Sequence, residues 1–474
     1  MREHRRRFVS LACIFIVALA AAAVGVGAGA AAPARAAQPP LSLWWTTFNG
    51  SPETECWIDS AKAPDGSLFA GGFENWNSLG GGGDLLVAKF DGNDTAADHQ
   101  IWQRTWDNPD AHSSDEAAAI AVDRSGAVIV VGSSETTNNG WEWVVVKWDA
   151  NGNQLWQQTF PGSAHAGRNA FAWDVACNAA GDVYVCGTSQ TGKYKGAEVK
   201  SLVVRKLRGA DGQLVWQRSY AGLLHSANQA TKLALDSAGN AYCTGYGTNA
   251  QVDTDIVTCK FRAGDGRLLW AHRIADARHL RDEGADIVVR GADVWVTGGE
   301  YTSNANRVVA LAKYTKAGKR LWLRTWLERT DTTEYPSELA VDKHGDAVVV
   351  GAGSNAAGTR EHAFVVRWNT AGVLKWWHVV YDSVTHEASW TTVVCDPAGN
   401  IWTGGWSATA GSQSFIVAGY TPAGAQTWLS AWKGPDDLGG ACDTLCLGQS
   451  GLFAGGSVTP QVGGDDAAAV KYPR

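Results

Sequence analysis

The sequence predicts an all-β protein, an eight-bladed β-propeller in which each blade is a four-stranded sheet. The first observation is a tryptophan that recurs every 52 to 60 residues, at Trp44, Trp102, Trp156, Trp216, Trp270, Trp322, Trp376 and Trp428. The second is a set of three short apolar runs between successive tryptophans. A unit of this length cannot bury its own apolar face, so such units stack side by side in propellers and solenoids.

Within one unit the apolar runs predict three strands, and the tryptophan lies on a fourth. In the second unit the runs cover 117–122, 128–131 and 144–148, and we name the corresponding strands A, B and C. Strand D carries the tryptophan. The A–B connection reads Asp-x-x-Gly in several copies, which is typical of a tight hairpin. A calcium loop is the alternative, but each copy offers few oxygens for a hard cation.

Strand C usually ends in a basic residue followed by an aromatic one. The pairs are Lys89-Phe90, Lys147-Trp148, Lys260-Phe261, Lys313-Tyr314, Arg367-Trp368 and Lys471-Tyr472, with Lys206-Leu207 and Gly419-Tyr420 as departures. In most units the tryptophan follows nine or ten residues after the base. A hairpin at the intervening glycine would therefore place the base opposite the tryptophan, and we expect the Lys stem to lie over the indole as a repeated structural contact.

The two ends of the chain predict how the ring closes. Residues 43–48 match a D strand, whereas residues 467–472 match a C strand. We expect these two strands to pair in one blade, with Trp44 beside Lys471, because this pairing removes an open sheet edge. A solenoid or a pair of smaller propellers is the alternative.

The first 36 residues have the pattern of an export signal. A basic start is followed by an Ala-, Val- and Leu-rich stretch and by Ala34-Arg35-Ala36, a small-x-small cleavage pattern. A membrane span is the competing interpretation of the apolar stretch. The basic start also fits the twin-arginine export route, but basic starts are common to all export signals, so the route stays open.

These features give the domain organisation and location. We predict a signal peptide over 1–36, cleavage between Ala36 and Ala37, a linker over 37–40 and a single propeller over 41–474. The location would be secreted or extracytoplasmic, with no membrane span after signal cleavage. Cleavage removes five Arg and one Glu, so the formal charge changes from −7 to −11. An acidic protein is a poor partner for nucleic acid, and we expect a monomer.

The mature chain would keep eight cysteines, an even number that allows disulfides in an exported protein. Cys243 and Cys259 are spaced to face each other across a hairpin. Most of the cysteines lie in apolar runs, where a buried thiol is the usual state, and no Cys-x-x-Cys pair indicates zinc or an iron–sulfur cluster.

The string Lys-Trp-Asp-x-Asn-Gly-x-x-Leu-Trp at 147–156 resembles the bacterial β-propeller repeat and the tryptophan-docking repeat of the PQQ-like quinoprotein propellers. Related strings cover nearly all of 41–474. The resemblance implies the eight-bladed fold; it is shared by enzymes and non-enzymes, so it says little about function. Quinoprotein dehydrogenases also carry a vicinal cysteine pair and a calcium-binding catalytic Asp, and this chain has no Cys-Cys dipeptide. We predict no cofactor; PQQ with calcium is implied only if the protein is such an enzyme.

Candidate ligand-binding residues lie mainly in the loops that join strand D to the next strand A. They are His112 with Asp115, His165 with Asn169, His225 with Asn228 and His279 with Asp282, and then Glu334 and Glu387. These loops share one face of the ring, so the side chains could bind a metal, a cation or a sugar at the channel mouth. Alternatively, each bonds to its own loop and recurs because the unit was duplicated. Adjacent blades lie ~10 Å apart, which is too far for a single metal.

Two tryptophans, Trp76 and Trp141, lie in B–C loops rich in Gly, Asn and Ser. Each could stack on a sugar or fill a gap in the neighbouring blade. No nucleophile elbow, zinc-protease motif or phosphate-binding loop is present. We therefore predict a secreted, non-catalytic binding scaffold for an extracellular protein, glycan or cell-envelope component. The alternative is a quinoprotein-like oxidoreductase or a polysaccharide-active enzyme, which would need acids with raised pKa in the channel.

The signal prediction is tested on protein exported by its own host. N-terminal sequencing should begin at Ala37, because export signals are removed after a small-x-small pattern. A mature chain that still begins at Met1 in the membrane fraction would contradict the prediction and support the membrane-span interpretation.

Overall fold

The computed structural model describes most of the chain after residue 43. The described residues are 44–48, 54–76, 83–92, 99–112, 114–137, 140–162, 169–194, 197–221, 228–249, 253–275, 281–302, 306–355, 361–380, 387–409, 412–434, 439–449, 451–459 and 465–473. Within them no helix has the length and apolar character to cross a bilayer.

The described residues form thirty-two strands in eight four-stranded antiparallel sheets. The first four sheets in chain order, blades 1 to 4, are β2 (Thr54–Lys62), β3 (Leu68–Trp76), β4 (Asp84–Phe90), β5 (Gln100–Trp106); β6 (Asp115–Val122), β7 (Val128–Glu135), β8 (Trp141–Trp148), β9 (Gln154–Pro161); β10 (Ala170–Cys177), β11 (Val183–Tyr194), β12 (Ala197–Leu207), β13 (Leu214–Tyr220); and β14 (Asn228–Leu235), β15 (Ala241–Thr248), β16 (Thr254–Phe261), β17 (Leu268–Ile274).

Blades 5 to 7 follow the same order, and blade 8 takes its fourth strand from the start of the chain. Their strands are β18 (Glu283–Arg290), β19 (Asp293–Tyr301), β20 (Arg307–Thr315), β21 (Arg320–Trp326); β22 (Thr332–Val341), β23 (Ala347–Asn355), β24 (Glu361–Trp368), β25 (Leu374–Val380); β26 (Glu387–Cys395), β27 (Ile401–Thr409), β28 (Ser412–Tyr420), β29 (Gln426–Trp432); and β30 (Gly440–Leu447), β31 (Leu452–Val458), β32 (Asp466–Tyr472), β1 (Trp44–Phe48).

The sheets form a closed ring, which confirms the eight-bladed prediction. Each inner A strand contacts the A strands of both neighbouring blades, and β2 of blade 1 contacts β30 of blade 8. The ring closes through the pairing of β1 with β32, in which Trp44 lies opposite Lys471 as expected. The two ends of the chain thus complete one sheet, in which β32 is paired on both of its sides.

The core lies between the blades rather than within them. Strands B and C are almost wholly buried, as in β7 and β8. One apolar cluster joins Trp143 and Val145 of blade 2 to Val183 and Val203 of blade 3. A single blade would expose both of these faces, so each unit is stable only with its neighbours.

The predicted pairing of base and tryptophan is confirmed in the C–D hairpins. The opposed pairs are Lys89 with Trp102, Lys147 with Trp156, Lys206 with Trp216, Lys260 with Trp270, Lys313 with Trp322 and Arg367 with Trp376. The lysine does not rest on this indole, however. In four blades its ammonium lies over an aromatic ring of strand B instead, Phe69, Tyr184, Tyr242 or Trp295, at 4.8 to 5.5 Å from the ring centroid.

The lysine turns away because both side chains bind the next blade. Trp156 Nε1 and Lys147 Nζ donate hydrogen bonds to one carbonyl, that of Gly209, at 3.0 and 2.9 Å. We call this arrangement the interblade clasp. It recurs at four other junctions, where the shared acceptors are the carbonyls of Ala150, Ala263, Lys316 and Thr370.

Each clasp binds a C–D turn that requires glycine for two reasons. Gly212 has a φ of 71°, which favours glycine, and a Cβ there would lie 2.7 Å from the Trp156 ring of the preceding blade. Gly152 repeats this arrangement against Trp102, with a φ of 82° and a Cβ distance of 3.0 Å. Glycine therefore allows both the backbone conformation of the turn and the close contact with the indole.

The departure at Gly419 is explained by the ring closure. Gly419 lies opposite Trp428 on blade 7, where the other blades place a base. The next blade, blade 8, builds its C and D strands from opposite ends of the chain, so no C–D turn offers a carbonyl. Trp428 instead stacks on Tyr472, with ring centroids 5.7 Å apart. A base at this position would have no clasp to make.

Removal of a clasp lysine should be costly. Lys147 pairs with Asp123 at 2.7 Å, and both side chains are more than 90% buried. Burial alone would raise the pKa of Asp123, but the bonds from Lys147 and Ser125 hold it below its usual value. Lys147→Met would leave this carboxylate without a cation, and we expect a loss of about 3–5 kcal/mol in the free energy of unfolding, measured with urea.

Arg208→Met is the control, because its pair with Asp211 is about half exposed on both sides. We expect a loss below about 1 kcal/mol for this variant. Equal losses in the two variants would show that burial does not increase the contribution of the clasp lysine to the free energy of unfolding.

Candidate functional site

Every inner strand carries a β-bulge at the same position. The extra residue is Ile58, Ala118, Trp173, Thr231, Ala285, Ser337, Thr391 or Asp443 in blades 1 to 8, respectively. A bulge turns side chains that would otherwise enter the interblade core, and here it re-aims them along the inner edge of each blade. The sequence did not predict it, because an apolar run locates an A strand without giving its register residue by residue.

The residue after the bulge is charged in five blades. These residues are Asp59, Asp174, Lys232, Asp286 and Glu338, and we call them the axial ring. A charged residue within an otherwise apolar run at equivalent positions was the available sequence signal. Asp59, Lys232 and Glu338 are partly exposed, whereas Asp174 and Asp286 are buried.

The four acids bind the open edge of the inner strands. Asp59 accepts a hydrogen bond from Ile120 N at 3.0 Å, in the next blade. The same contact joins Asp174 to Leu233 N, Asp286 to Leu339 N and Glu338 to Val393 N, at 2.6 to 2.8 Å. An inner strand has no sheet partner on its channel side, so its N–H groups need other acceptors. The carboxylates supply them and link consecutive blades.

Lys232 is the cation that these carboxylates share. The negative charge of Asp174, followed by that of the other acids, raises the pKa of Lys232 above its ordinary value despite burial. Burial raises the pKa of Asp174 to about 6 and that of Asp286 to about 7, although Lys232 lowers both. With one lysine for four acids, part of the carboxyl set is protonated near neutral pH.

A small polar cavity lies beside the axial ring. Its volume is about 140 Å³, and its walls include Lys232, Glu338, Thr392, Thr444 and Asp443. Asp443, on the bulge of blade 8, has the Cys56 thiol as its donor at 3.4 Å and no backbone N–H among the described residues. Burial raises its pKa to about 7. It is thus a carboxyl that faces the cavity without holding a strand edge.

Four of the predicted site residues occupy one equivalent position. Asp115, Asn228, Asp282 and Glu334 each lie three residues before the bulge, and each is at most 1% exposed. Their side chains bond to nearby backbone or side-chain groups: Asp115 to Asn108 N, Asn228 to Ala221 O, Asp282 to Tyr301 N and Glu334 to the Thr332 hydroxyl, at 2.7 to 2.8 Å. This placement agrees with a local structural role; a ligand role for them stays a prediction.

The other predicted residues are more scattered. Asn169 and Glu387 lie one residue earlier in the unit, and Asn169 Oδ1 accepts a hydrogen bond from Trp141 N at 3.2 Å. His112 is 70% exposed and pairs with Asp107. His165, His225 and His279 lie outside the described residues, and so does the side chain of Trp76 at the end of β3.

Trp141 is part of a row of aromatic rings that we call the aromatic strip. Its centroid lies 5.8 Å from that of Phe171, and Phe171 stacks on Trp173, also at 5.8 Å. All three rings are partly exposed. Trp141 begins strand C of blade 2, whereas Phe171 and Trp173 lie near the start of β10 in blade 3. The strip therefore runs from the loop face of the ring toward the bulge at the channel.

The described cysteines are free thiols, most of them buried. Cys243 and Cys259 lie opposite each other in the β15–β16 pair, as the spacing predicts. Burial raises the pKa of Cys243, which disfavours its reactive thiolate form.

No protein-family model matches the chain, and no curated protein matches it in sequence. Among solved structures, the quinohemoprotein alcohol dehydrogenase from Comamonas testosteroni is 10% identical, with a TM-score of 0.52 over 90% of this chain and 76% of that one. The WD40 domain of SCAP from fission yeast is also 10% identical, with a TM-score of 0.44 over 89% and 96%. The first likeness supports the propeller fold and nothing finer; the second is too low to add to it.

The axial site does not fit the quinone that the resemblance implies. Its volume of about 140 Å³ is below the roughly 300–1,000 Å³ of pockets that enclose ligands of drug size. Lys232, Asp59 and Glu338 line this position, and the chain has no vicinal cysteine pair. The chain is therefore similar to a quinohemoprotein dehydrogenase in fold, whereas its axial cavity is smaller than a pocket for a ligand of drug size.

Loss of the axial cation should depend on pH. Lys232→Met leaves four carboxylates around an empty centre, and we expect a loss of about 3–5 kcal/mol in the free energy of unfolding at pH 8. At pH 5 the loss should be smaller, because acids with raised pKa are then protonated and need no cation. Lys343→Met, on an exposed turn, is the control and should change little at either pH. A loss that is the same at both pH values would contradict the charge network.

Asp443→Asn tests the carboxyl that faces the cavity without holding a strand edge. The folded pKa of about 7 exceeds the usual value, so folding favours the protonated form and stability falls as pH rises from about 4 to 7. The amide keeps the shape without the charge. We expect equal unfolding free energies for variant and wild type at about pH 3.5, where the carboxyl is protonated in both states, and a gain of about 1–3 kcal/mol for the variant at pH 8, measured with urea. A difference that does not change with pH would contradict this expectation.

Proposed function

We propose that this protein is an extracytoplasmic carbohydrate-binding scaffold whose ligand lies on the aromatic strip. The observation that carries the proposal is the row formed by Trp141, Phe171 and Trp173. Large aromatic side chains are usually buried, but these three are partly exposed on the loop face. Sugar rings present flat C–H faces, and aromatic rings offer a rigid apolar surface for them with little loss of side-chain entropy.

Polar groups next to the strip suit sugar hydroxyls. Asn169 is partly exposed, and its Oδ1 is engaged by Trp141 N, so its amide group can donate to a ligand. Binding sites commonly combine an apolar surface with a few oriented polar groups, and this junction of blades 2 and 3 has both.

The rest of the molecule is consistent with a scaffold. The interblade clasps hold the opposite face of the ring, where the C–D turns lie, so the loop face can vary without loss of the ring. The export signal pattern over 1–36 would bring the protein to extracytoplasmic glycans. A monomer suffices, because the strip is formed within one chain.

The proposal is tested with the mature protein on a glycan array that includes peptidoglycan fragments, followed by calorimetry on the best ligand. Trp141→Ala should weaken binding about tenfold, since one stacked ring contributes about 0.5–1.5 kcal/mol beyond its buried area. Trp377→Ala is the matched control: this ring is 44% exposed but lies on the outer strand β25. The proposal is wrong if no glycan binds, or if the two variants lose affinity equally.

A second function, a polysaccharide-active enzyme, is favoured by one observation. Asp443 and Glu338 line the same cavity, and burial raises the pKa of both, so a protonated carboxyl is available near neutral pH. In that case the ligand found on the array would be cleaved, and Asp443→Asn would abolish cleavage while leaving affinity unchanged. Binding without any released product would exclude this function for that ligand.

A further inference from the structure

The loop between blades 1 and 2 gathers three carboxylates. Asp84 begins β4, Asp107 follows β5, and Asp115 begins β6, so the set combines two strands of blade 1 with one strand of blade 2. One carboxylate oxygen from each lies within 4.8 Å of the others. Oxygens bound to one Ca²⁺ at 2.3–2.6 Å are at most about 5 Å apart, so the three can reach a common ion.

Asp115 supplies an independent indication of a ligand. The residue is fully buried, and its Oδ1 has no hydrogen-bond partner, whereas its Oδ2 accepts from Asn108 N at 2.8 Å. A buried oxygen without a partner is costly unless something binds it. Asp107 repeats the pattern, because its Oδ1 is also buried and unpartnered while its Oδ2 pairs with His112.

The charges around Asp115 point to a cation. Asp107 and Asp84 place two further negative charges beside this carboxylate. A bound divalent cation would reverse this repulsion. We propose that Asp84, Asp107 and Asp115 form a divalent-cation site, suited to Ca²⁺, at the junction of blades 1 and 2.

The ligand set decides between metals. All three groups are carboxylates, which suit the hard cations Ca²⁺ and Mg²⁺ better than zinc or copper. Ca²⁺ accepts six to eight oxygens in flexible geometry, and water can complete the set at this partly open junction. Equivalent residues of adjacent blades lie ~10 Å apart, which is too far for one metal ion. Asp84, Asp107 and Asp115 are not equivalent residues, and all three lie at one junction. His112 holds Asp107 from the solvent side, as a positioning residue.

The site is tested by calorimetry with CaCl₂ on mature protein that has been treated with EDTA. The wild type should bind one Ca²⁺, and Asp115→Asn and Asp84→Asn should each weaken binding at least about tenfold. Asp110→Asn is the control, because this exposed acid lies in the same loop outside the cluster. MgCl₂ should bind more weakly than CaCl₂.

Two results would overturn the site: no Ca²⁺ binding at about 5 mM, or binding that the Asp110 variant loses as strongly as the other two. If Asp115→Asn does not fold, Asp84→Asn decides the outcome, since Asp84 lies at the partly exposed start of an otherwise buried strand. The site stands apart from the aromatic strip, so its failure would leave the carbohydrate proposal intact.

Discussion

The structure depends on the interblade clasp, in which one carbonyl of a C–D turn receives both an indole N–H and an ammonium from the preceding blade. The contact is small, but it fixes three things at once. It sets the register of the C–D hairpin, because base and tryptophan must lie opposite each other. It requires glycine in the turn, because the indole lies on the backbone of Gly212 and its equivalents. It also gives the buried lysine a carbonyl and a carboxylate as partners, and these stabilise the ammonium charge in the interface between two blades.

A ring of sheets has a second problem, at its centre. Each inner strand has a free edge toward the channel, and its N–H groups cannot be left without acceptors. The bulge and the acid that follows it solve this problem in four blades, and Lys232 balances the acids that result. The interblade clasps lie on the turn face of the ring, and the charge network lies at its axis. The loop face is therefore free to bind ligands. Both proposed sites lie on that loop face.

The periodic features could be predicted from sequence, and the axial ones could not. The opposition of Lys147 and Trp156 and the pairing of Trp44 with Lys471 follow from spacing alone, because hairpin register depends on local chain length. Lys232 stands out as a charged residue within an apolar run, but spacing does not show what it binds. Its partners lie on four other blades, and the residue at this position differs from blade to blade. Even the lysine contact was assigned to the wrong ring, because the carbonyl that attracts it belongs to the next unit.

The loop residues show the same limit for function. Asp115 was grouped with His112 by spacing, but the carboxylates that surround it are Asp84 and Asp107, which approach it through the fold. Trp141 was one of two candidate rings; Phe171 and Trp173 complete the strip because the neighbouring blade brings β10 beside it. Sequence patterns repeat the blade, whereas a site arises where individual blades depart from the pattern.

The most direct test of this account is hydrogen exchange of the mature protein with and without a bound glycan, read peptide by peptide. We expect protection in peptides that cover 140–143 and 169–174, on the loop face, and no change in the C–D turns such as 149–153. Protection of the turns, or protection confined to blades remote from the junction of blades 2 and 3, would contradict the assignment of the aromatic strip as the ligand site.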